Sequence, residues 1–357
     1  MKHFSYINQK IFTDKPELAS MRAGFGGGLV LAGEKNKDVV ALCADLRESV
    51  QMEKFAEKFP GRFVEVGVAE QNLVTVASGM AAMGKIPFAA SYAVFSPGRA
   101  WEQIRTTICY NNTNVKLIGS HAGLSVGPDG GSHQMLEDIA LMRVLPNMTV
   151  LSPCDAIEAR KMALAASEFK GPVYMRLCRE KTAIITTDET PLIIGKAWTA
   201  FEPTDSPEVG IVVTGALLGT AIKVACELEK EHVNVEVLAM PTIKPLDTKA
   251  ILKLVGKTGA LVVVEEHQMA GGLGSAIAEL LARHGPAPIE FVAVKDVFGQ
   301  SGTTGELWKE YGLDEKGIRS AIERVAERKT QKIGYFVGQT EFASPQDNSN
   351  NLEFKDF

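Results

Sequence analysis

Two short segments carry the side chains best suited to chemistry. In Gly67-Val-Ala-Glu-Gln-Asn72 a carboxylate, Glu70, follows the apolar run RFVEV and precedes the small-residue segment LVTVASGMAAMG. A glutamate in a first helical turn ordinarily faces water, where the helix dipole favours it. Apolar flanks on both sides point to burial, which is costly for a carboxylate unless it is paired or protonated. A buried carboxylic acid is a usable proton donor near neutrality. The second segment, SHAGLSVGPDGGSHQMLED, holds His121 and His133 with Asp129 between them. Histidines in a glycine-rich loop at a strand end suit anion contact or proton shuttling. Neither a cysteine nor a third histidine stands at metal-ligand spacing beside them. YMRLCRE adds Arg176 and Arg179, also at a strand end, where arginine suits a carboxylate or phosphate. For one of these two arginines a surface ion pair is the ordinary outcome.

Three further segments are weighed against bland roles. In SYAVFSPGRAWEQIR, Tyr92 and Phe95 have the character of core residues. The SPG turn after them indicates a loop at the carboxyl end of a strand, where α/β sheets hold ligands and an exposed ring can stack on a heteroaromatic cofactor. GFGGGLVLAG lacks the preceding strand of a dinucleotide fingerprint and has no GK[ST], so its glycines read as close helix packing. EEHQMAGGLGSAIAE, with Glu265, Glu266 and His267, reads as a well-capped helix packed on a sheet.

Regular elements must position these groups. Strand-like runs DVVALCAD, RFVEVGVA, PFAASY, VKLIGSH, MTVLSP and PVYMRL alternate with helical patterns such as CDAIEARKMALAASEF. That alternation predicts βαβ units and a mostly parallel sheet. After a polar, proline-bearing stretch near 185–207 it resumes through VGIVVTG, VNVEVLAMPTI and GALVVVEE. The expected fold class is α/β, with two consecutive domains of mostly parallel sheets flanked by helices over 1–190 and 191–330. The polar segment 331–357 is expected to be a mobile tail.

Composition bounds the function. The 357 residues are 45% hydrophobic and 23% charged, a globular mix with room for sizeable cores. A net charge of −5 argues against a nucleic-acid or anionic-membrane partner. Five scattered cysteines fit reduced thiols better than a disulfide framework. Neither a signal-peptide core nor an 18-residue apolar run is found. A soluble, cytoplasmic protein is the expectation.

As a set, these segments resemble the latter half of a transketolase: a pyrimidine-binding domain followed by the C-terminal domain, over roughly residues 15–328. The resemblance implies that Glu70 is the glutamate that activates thiamine diphosphate through its aminopyrimidine ring. Phe95 would stack on that ring, Tyr92 would line its pocket, and Asp45 in CADLRES would lie near the cofactor. By the same match, His121, Asp129 and His133 would contact sugar hydroxyls, with the two histidines relaying protons. Arg22, Ser49 and Arg179 would grip the phosphate of the sugar substrate, with Arg179 preferred to Arg176. YAVFSPGRA departs from the family pattern: it is one residue longer, with glycine where some members carry another cofactor-facing aromatic.

In the family, Mg²⁺ and the diphosphate are held by a GDG motif in a first domain, and this chain contains no GDG. The resemblance therefore implies the C-terminal subunit of a split transketolase. Its N-terminal partner would carry the GDG motif and the Mg²⁺ ligands, in an α2β2 heterotetramer with self-association of this chain. Ring stacking adds only about 0.5–1.5 kcal/mol beyond burial, so a lone copy should bind the cofactor poorly. The nearest rivals are the beta subunit of a 2-oxoacid dehydrogenase and a 1-deoxyxylulose-5-phosphate synthase-like enzyme. The first has no need of the histidine loop together with phosphate-gripping arginines, and donor choice separates the second. A non-catalytic interaction subunit has no use for Glu70 and both histidines.

Overall fold

A computed structural model describes residues 6–330. In chain order its strands are β1 (Leu18–Ser20), β2 (Val39–Cys43), β3 (Phe63–Glu65), β4 (Ile86–Tyr92), β5 (Lys116–Ser120), β6 (Thr149–Leu151) and β7 (Val173–Arg176). They continue as β8 (Lys181–Ala183), β9 (Trp198–Phe201), β10 (Val209–Val213), β11 (Val235–Ala239), β12 (Thr242–Lys244), β13 (Leu261–Gln268) and β14 (Ile289–Val294). All six strand-like runs of the first half form strands, and their predominantly parallel pairing matches the expected α/β class. The segment 331–357, expected to be a tail, lies outside the described residues.

The first sheet has seven strands in the order β12-β6-β7-β5-β4-β2-β3, parallel except at β12. The second has five, β14-β13-β10-β11-β9, parallel except at the edge strand β9. Strands β2 and β10 are buried along their whole length, which is why they read as continuous apolar runs without alternation. VNVEVLAMPTI is not one strand. Pro241 has no backbone N–H to give to a ladder, and the chain breaks there into β11, within the second sheet, and β12. β12 crosses to pair antiparallel with β6 at the edge of the first sheet, so the later half of the chain completes the earlier sheet.

The glycine-rich segment forms the helix Met21–Lys35, capped by the Ser20 hydroxyl. It packs on the helix Ala156–Glu168; a Cβ on Gly24 would lie 2.0 Å from the Ala156 carbonyl oxygen, so only glycine permits this approach. Asp155 caps that second helix through the Glu158 N–H at 2.8 Å and also accepts from the Ile185 N–H at 2.7 Å. Beyond these, β1 pairs antiparallel with β8, with Ser20 opposite Lys181. That two-stranded ribbon sets Arg22 beside Arg179. Among the described residues, no helix is long and apolar enough to cross a membrane.

Candidate functional site

Loops leaving the carboxyl ends of β2, β3, β4, β5 and β7, which are neighbours in the first sheet, converge on one edge. Parallel α/β sheets place ligands there because successive loops gather at that end. β2 leads into Asp45 and Ser49, β3 into Glu70, β4 into Tyr92 and Phe95, β5 into His121, and β7 into Arg179.

Glu70 opens the helix Glu70–Ala82 and is 2% exposed. Its oxygens accept hydrogen bonds from the Ser91 hydroxyl at 3.4 Å and an Arg99 nitrogen at 3.3 Å. Arg99 also lies over the Phe95 ring, with its guanidinium carbon 5.3 Å from the centroid. A planar group bearing N–H donors thus already bridges the aromatic face and the carboxylate, the two contacts an aminopyrimidine ring requires. The donor set fits such a ring. Arg99 was not singled out in the sequence; its position four residues after Phe95, beyond the SPG turn, was the available signal.

Tyr92 stands at the centre of a ring cluster. It stacks on Phe95 at 5.9 Å with an 8° interplanar angle, and on His121 at 3.7 Å with 21°. His133, half-buried, meets Tyr92 and Phe95 edge-on at 6.5 and 5.6 Å. Tyr92 is therefore shared between the aromatic face and the histidine loop. The β4–β5 register, which sets Tyr92 opposite Ser120, produces this contact.

His121 is 2% exposed and adopts a left-handed φ of 53°. A non-glycine residue in this region stores about 1–3 kcal/mol, a common feature of functional loops. Its Nε2 lies 3.4 Å from an Arg22 nitrogen, and its Nδ1 lies 2.7 Å from the Ser120 hydroxyl. A guanidinium can only donate, so Nε2 accepts and Nδ1 carries the proton toward Ser120. Burial pushes the imidazole down to about 3, helped by the charges of Arg22 and Arg179. At neutral pH His121 is an uncharged ring.

Arg22 donates to the Ser49 carbonyl at 2.6 Å and to the Arg179 carbonyl at 2.9 Å, while its Nε is buried without a partner. Burial lowers its pKa from the ordinary guanidinium value. Ser49 meets this arginine through its backbone oxygen. Arg179 donates to the Val126 carbonyl at 2.8 Å and lies 3.8 Å from Asp129 and 3.6 Å from Glu180. Asp129, itself exposed, thus leans on Arg179. Asp45, with a left-handed φ of 57°, is exposed and lines a cavity of about 400 Å³ with Arg47, Glu48, Ser49, Phe63 and Glu65. Glu65 shapes that loop by accepting from the Asp45 and Gly67 N–H groups at 2.7 and 2.9 Å.

Arg176 lies apart from these groups. It is 6% exposed and directed into the core, where its Nε donates to Asp138 at 2.9 and 3.2 Å and another nitrogen donates to the Glu266 carbonyl at 2.6 Å. The ion pair of Arg176 is a buried one, and the partly exposed pairing expected for one of the two arginines falls to Arg179, with Asp129 and Glu180. Side chains alternate across a strand, and the last residue of β7 points inward. Glu265 caps the helix Leu273–His284 through the Leu273 and Gly274 N–H groups at 2.7 and 2.8 Å, as the capped-helix reading requires. Among the described residues, no group of three or more His, Cys, Asp or Glu side chains is placed to hold a metal ion.

Residues 17–184 match the family described as "Transketolase, pyrimidine binding domain", and residues 201–318 match "Transketolase, C-terminal domain". The chain is 42% identical over 305 residues to a putative transketolase C-terminal section of Methanocaldococcus jannaschii, covering 85% of this chain and 95% of that protein. It is 40% identical over 296 residues to a 6-deoxy-6-sulfo-D-fructose transketolase subunit of a Clostridium species, covering 83% and 91%. A solved structure described as a split gene transketolase, inactive beta4 tetramer, superposes with a TM-score of 0.81 at 41% identity, covering 87% of this chain and 99% of that one.

Proposed function

The chain belongs to the transketolase family, and from that premise we propose that it is the C-terminal subunit of a two-chain enzyme transferring a two-carbon ketol unit from a ketose phosphate to an aldose phosphate. The observation that carries this reading is the convergence, at one sheet edge, of a buried carboxylate beside an aromatic face with a two-arginine, two-histidine cluster. Thiamine diphosphate, on which the family depends, supplies when bound the stabilisation of the carbanion on the two-carbon unit.

The remaining roles fall to this chain's own residues. Glu70 holds the aminopyrimidine ring and its proton, Phe95 and Tyr92 give that ring a face, and Asp45 borders it. His121, neutral at working pH, accepts a hydrogen bond from a sugar hydroxyl at Nε2 in exchange for its long 3.4 Å bond from Arg22, and His133 exchanges protons at the opposite end of the same loop. Asp129 contacts a further hydroxyl. Arg22, Arg179 and Ser49 take the terminal anion; Arg22 has a spare buried Nε for the purpose. A terminal anion also suits the sulfonated sugar named for one relative, so the sugar itself is read through its anionic end. Residues 1–190 act as the pyrimidine-binding domain and 191–330 as the C-terminal domain.

Mg²⁺ and the diphosphate belong to an N-terminal subunit with the GDG motif, in an α2β2 assembly. The test is reconstitution. Purified chain mixed with that subunit, thiamine diphosphate and Mg²⁺ is expected to convert ketose and aldose phosphates, while either chain alone is silent. Full activity from this chain without the partner overturns the split arrangement. Absence of ketol transfer from the saturated pair overturns the activity.

A further inference from the structure

Glu266 lies in β13 of the second sheet, 141 residues beyond Ser125 of the histidine loop, and is 3% exposed. Its carboxylate accepts three hydrogen bonds: from the Ser125 N–H at 2.6 Å, the Ser125 hydroxyl at 3.2 Å and the Trp308 indole N–H at 2.9 Å. Ser125 stands within the loop that begins at His121 and ends at His133. The loop passes so close that a Cβ on Gly123, whose φ is +84°, would lie 2.5 Å from the carboxyl carbon.

The same residue is anchored from behind. Its backbone oxygen accepts from buried Arg176, which in turn pairs with Asp138, itself bonded to the Tyr174 hydroxyl at 2.8 Å. Along the loop, Gln134 adds a bond to the Gln300 carbonyl at 3.0 Å. A buried carboxylate surrounded by donors is a strong fixed point, because charge-assisted bonds in a dry site are short and directional.

We propose that Glu266 is a positioning residue for sugar binding: it pins the middle of the histidine loop to the second sheet, so that His121 and His133 are held at a set separation before substrate arrives. This gives the C-terminal sheet a part in substrate affinity without contact to substrate. The inference rests on the reading of that loop as the sugar-binding segment.

The Ser125 and Trp308 N–H groups can only donate, and both meet the same carboxylate oxygen, so Glu266→Met removes their acceptor while nearly preserving length and volume. Hydrogen exchange on the isolated full chain reads the loop directly. Peptides covering 121–134 are expected to exchange about tenfold faster or more in Glu266→Met, while peptides around Glu70 stay unchanged. In the reconstituted pair, KM for the ketose phosphate is expected to rise about tenfold, with unchanged Kd for thiamine diphosphate. Trp308→Phe removes one donor from the carboxylate and provides a milder variant, with a smaller rise in the same peptides, should Glu266→Met fail to fold. Unchanged loop exchange, acceleration spread evenly over all peptides, or a KM that stays put while the loop loosens would each overturn the proposal. If the wild-type pair shows no ketol transfer, the functional reading fails, whereas the exchange experiment still decides whether Glu266 pins the loop.

Discussion

Glu70 and Glu266 are both buried carboxylates, yet they are held in opposite ways. Glu266 has three donors at 2.6 to 3.2 Å and an anchored backbone. Glu70 has two contacts at 3.3 and 3.4 Å, one of them from Arg99, whose side chain is 57% exposed. A carboxylate satisfied by short bonds from buried groups is tied into the architecture. One left with long bonds and an exposed partner can exchange that partner for something else. On the proposed reading structural duty falls to Glu266 and chemistry to Glu70, and each residue can be tested for the opposite role.

The largest expected effect is on Glu70. Glu70→Ala should lower the turnover of the reconstituted pair by about two to four orders of magnitude, the usual worth of acid–base assistance, with the fold retained. Steady-state kinetics with circular dichroism on the same samples checks it, and a loss below about threefold would remove Glu70 from the chemistry. The two arginines after β7 repeat the comparison. Arg176→Ala leaves Asp138 buried and uncompensated, so chemical denaturation should show a loss of about 3–5 kcal/mol. Arg179→Ala should leave stability almost unchanged and raise KM for phosphorylated sugars through loss of a charge-assisted contact of about 1.5–3 kcal/mol. Reversal of these two outcomes would exchange their assigned roles.

An acid titration probes the site from another side. His121 titrates at about 3 in the folded chain against 6.5 in the ordinary state, so below pH 6.5 the unfolded chain binds the extra proton. Its contribution to stability is complete above pH 6.5 and is lost as pH falls toward 3, with a limiting slope of about 1.4 kcal/mol per pH unit. Urea midpoints at pH 7 and pH 4.5 should therefore fall less in His121→Asn than in wild type. Equal falls would show that the imidazole is solvated.

Much of this arrangement was legible because it is local. Six strand runs, the loops at their carboxyl ends and the burial of Glu70 follow from apolar flanks and short-range periodicity. Close packing of the segment containing Gly24 followed from the missing phosphate-loop context. The contacts that were not legible are non-local. Nothing near Pro241 in sequence says that β12 will cross to pair with β6. The stacking of Tyr92 on His121 depends on strand register, and the bond between Glu266 and Ser125 spans 141 residues. Arg176 and Arg179 differ in fate because the strand ends at the first and a loop holds the second.

Arg99 gives the smallest and sharpest test of the opening contrast. Only the Arg99 end of its pair with buried Glu70 is exposed, and the bond is a long one at 3.3 Å, so water competes for the guanidinium and the pair contributes about 1 kcal/mol. Arg99→Ala should therefore shift the denaturation midpoint only slightly. The same substitution removes the cation from above Phe95 and from Glu70, freeing both surfaces that a planar donor-bearing ring would use. Calorimetric titration of the isolated chain with thiamine should then show tighter binding in Arg99→Ala than in wild type. Weaker binding would mean that Arg99 helps to hold the ring, and the stability effect would separate the cases: a large loss would make the Glu70–Arg99 pair as structural as the one between Arg176 and Asp138. The distinction between a carboxylate that is tied down and one that is kept available turns on that small difference in midpoint.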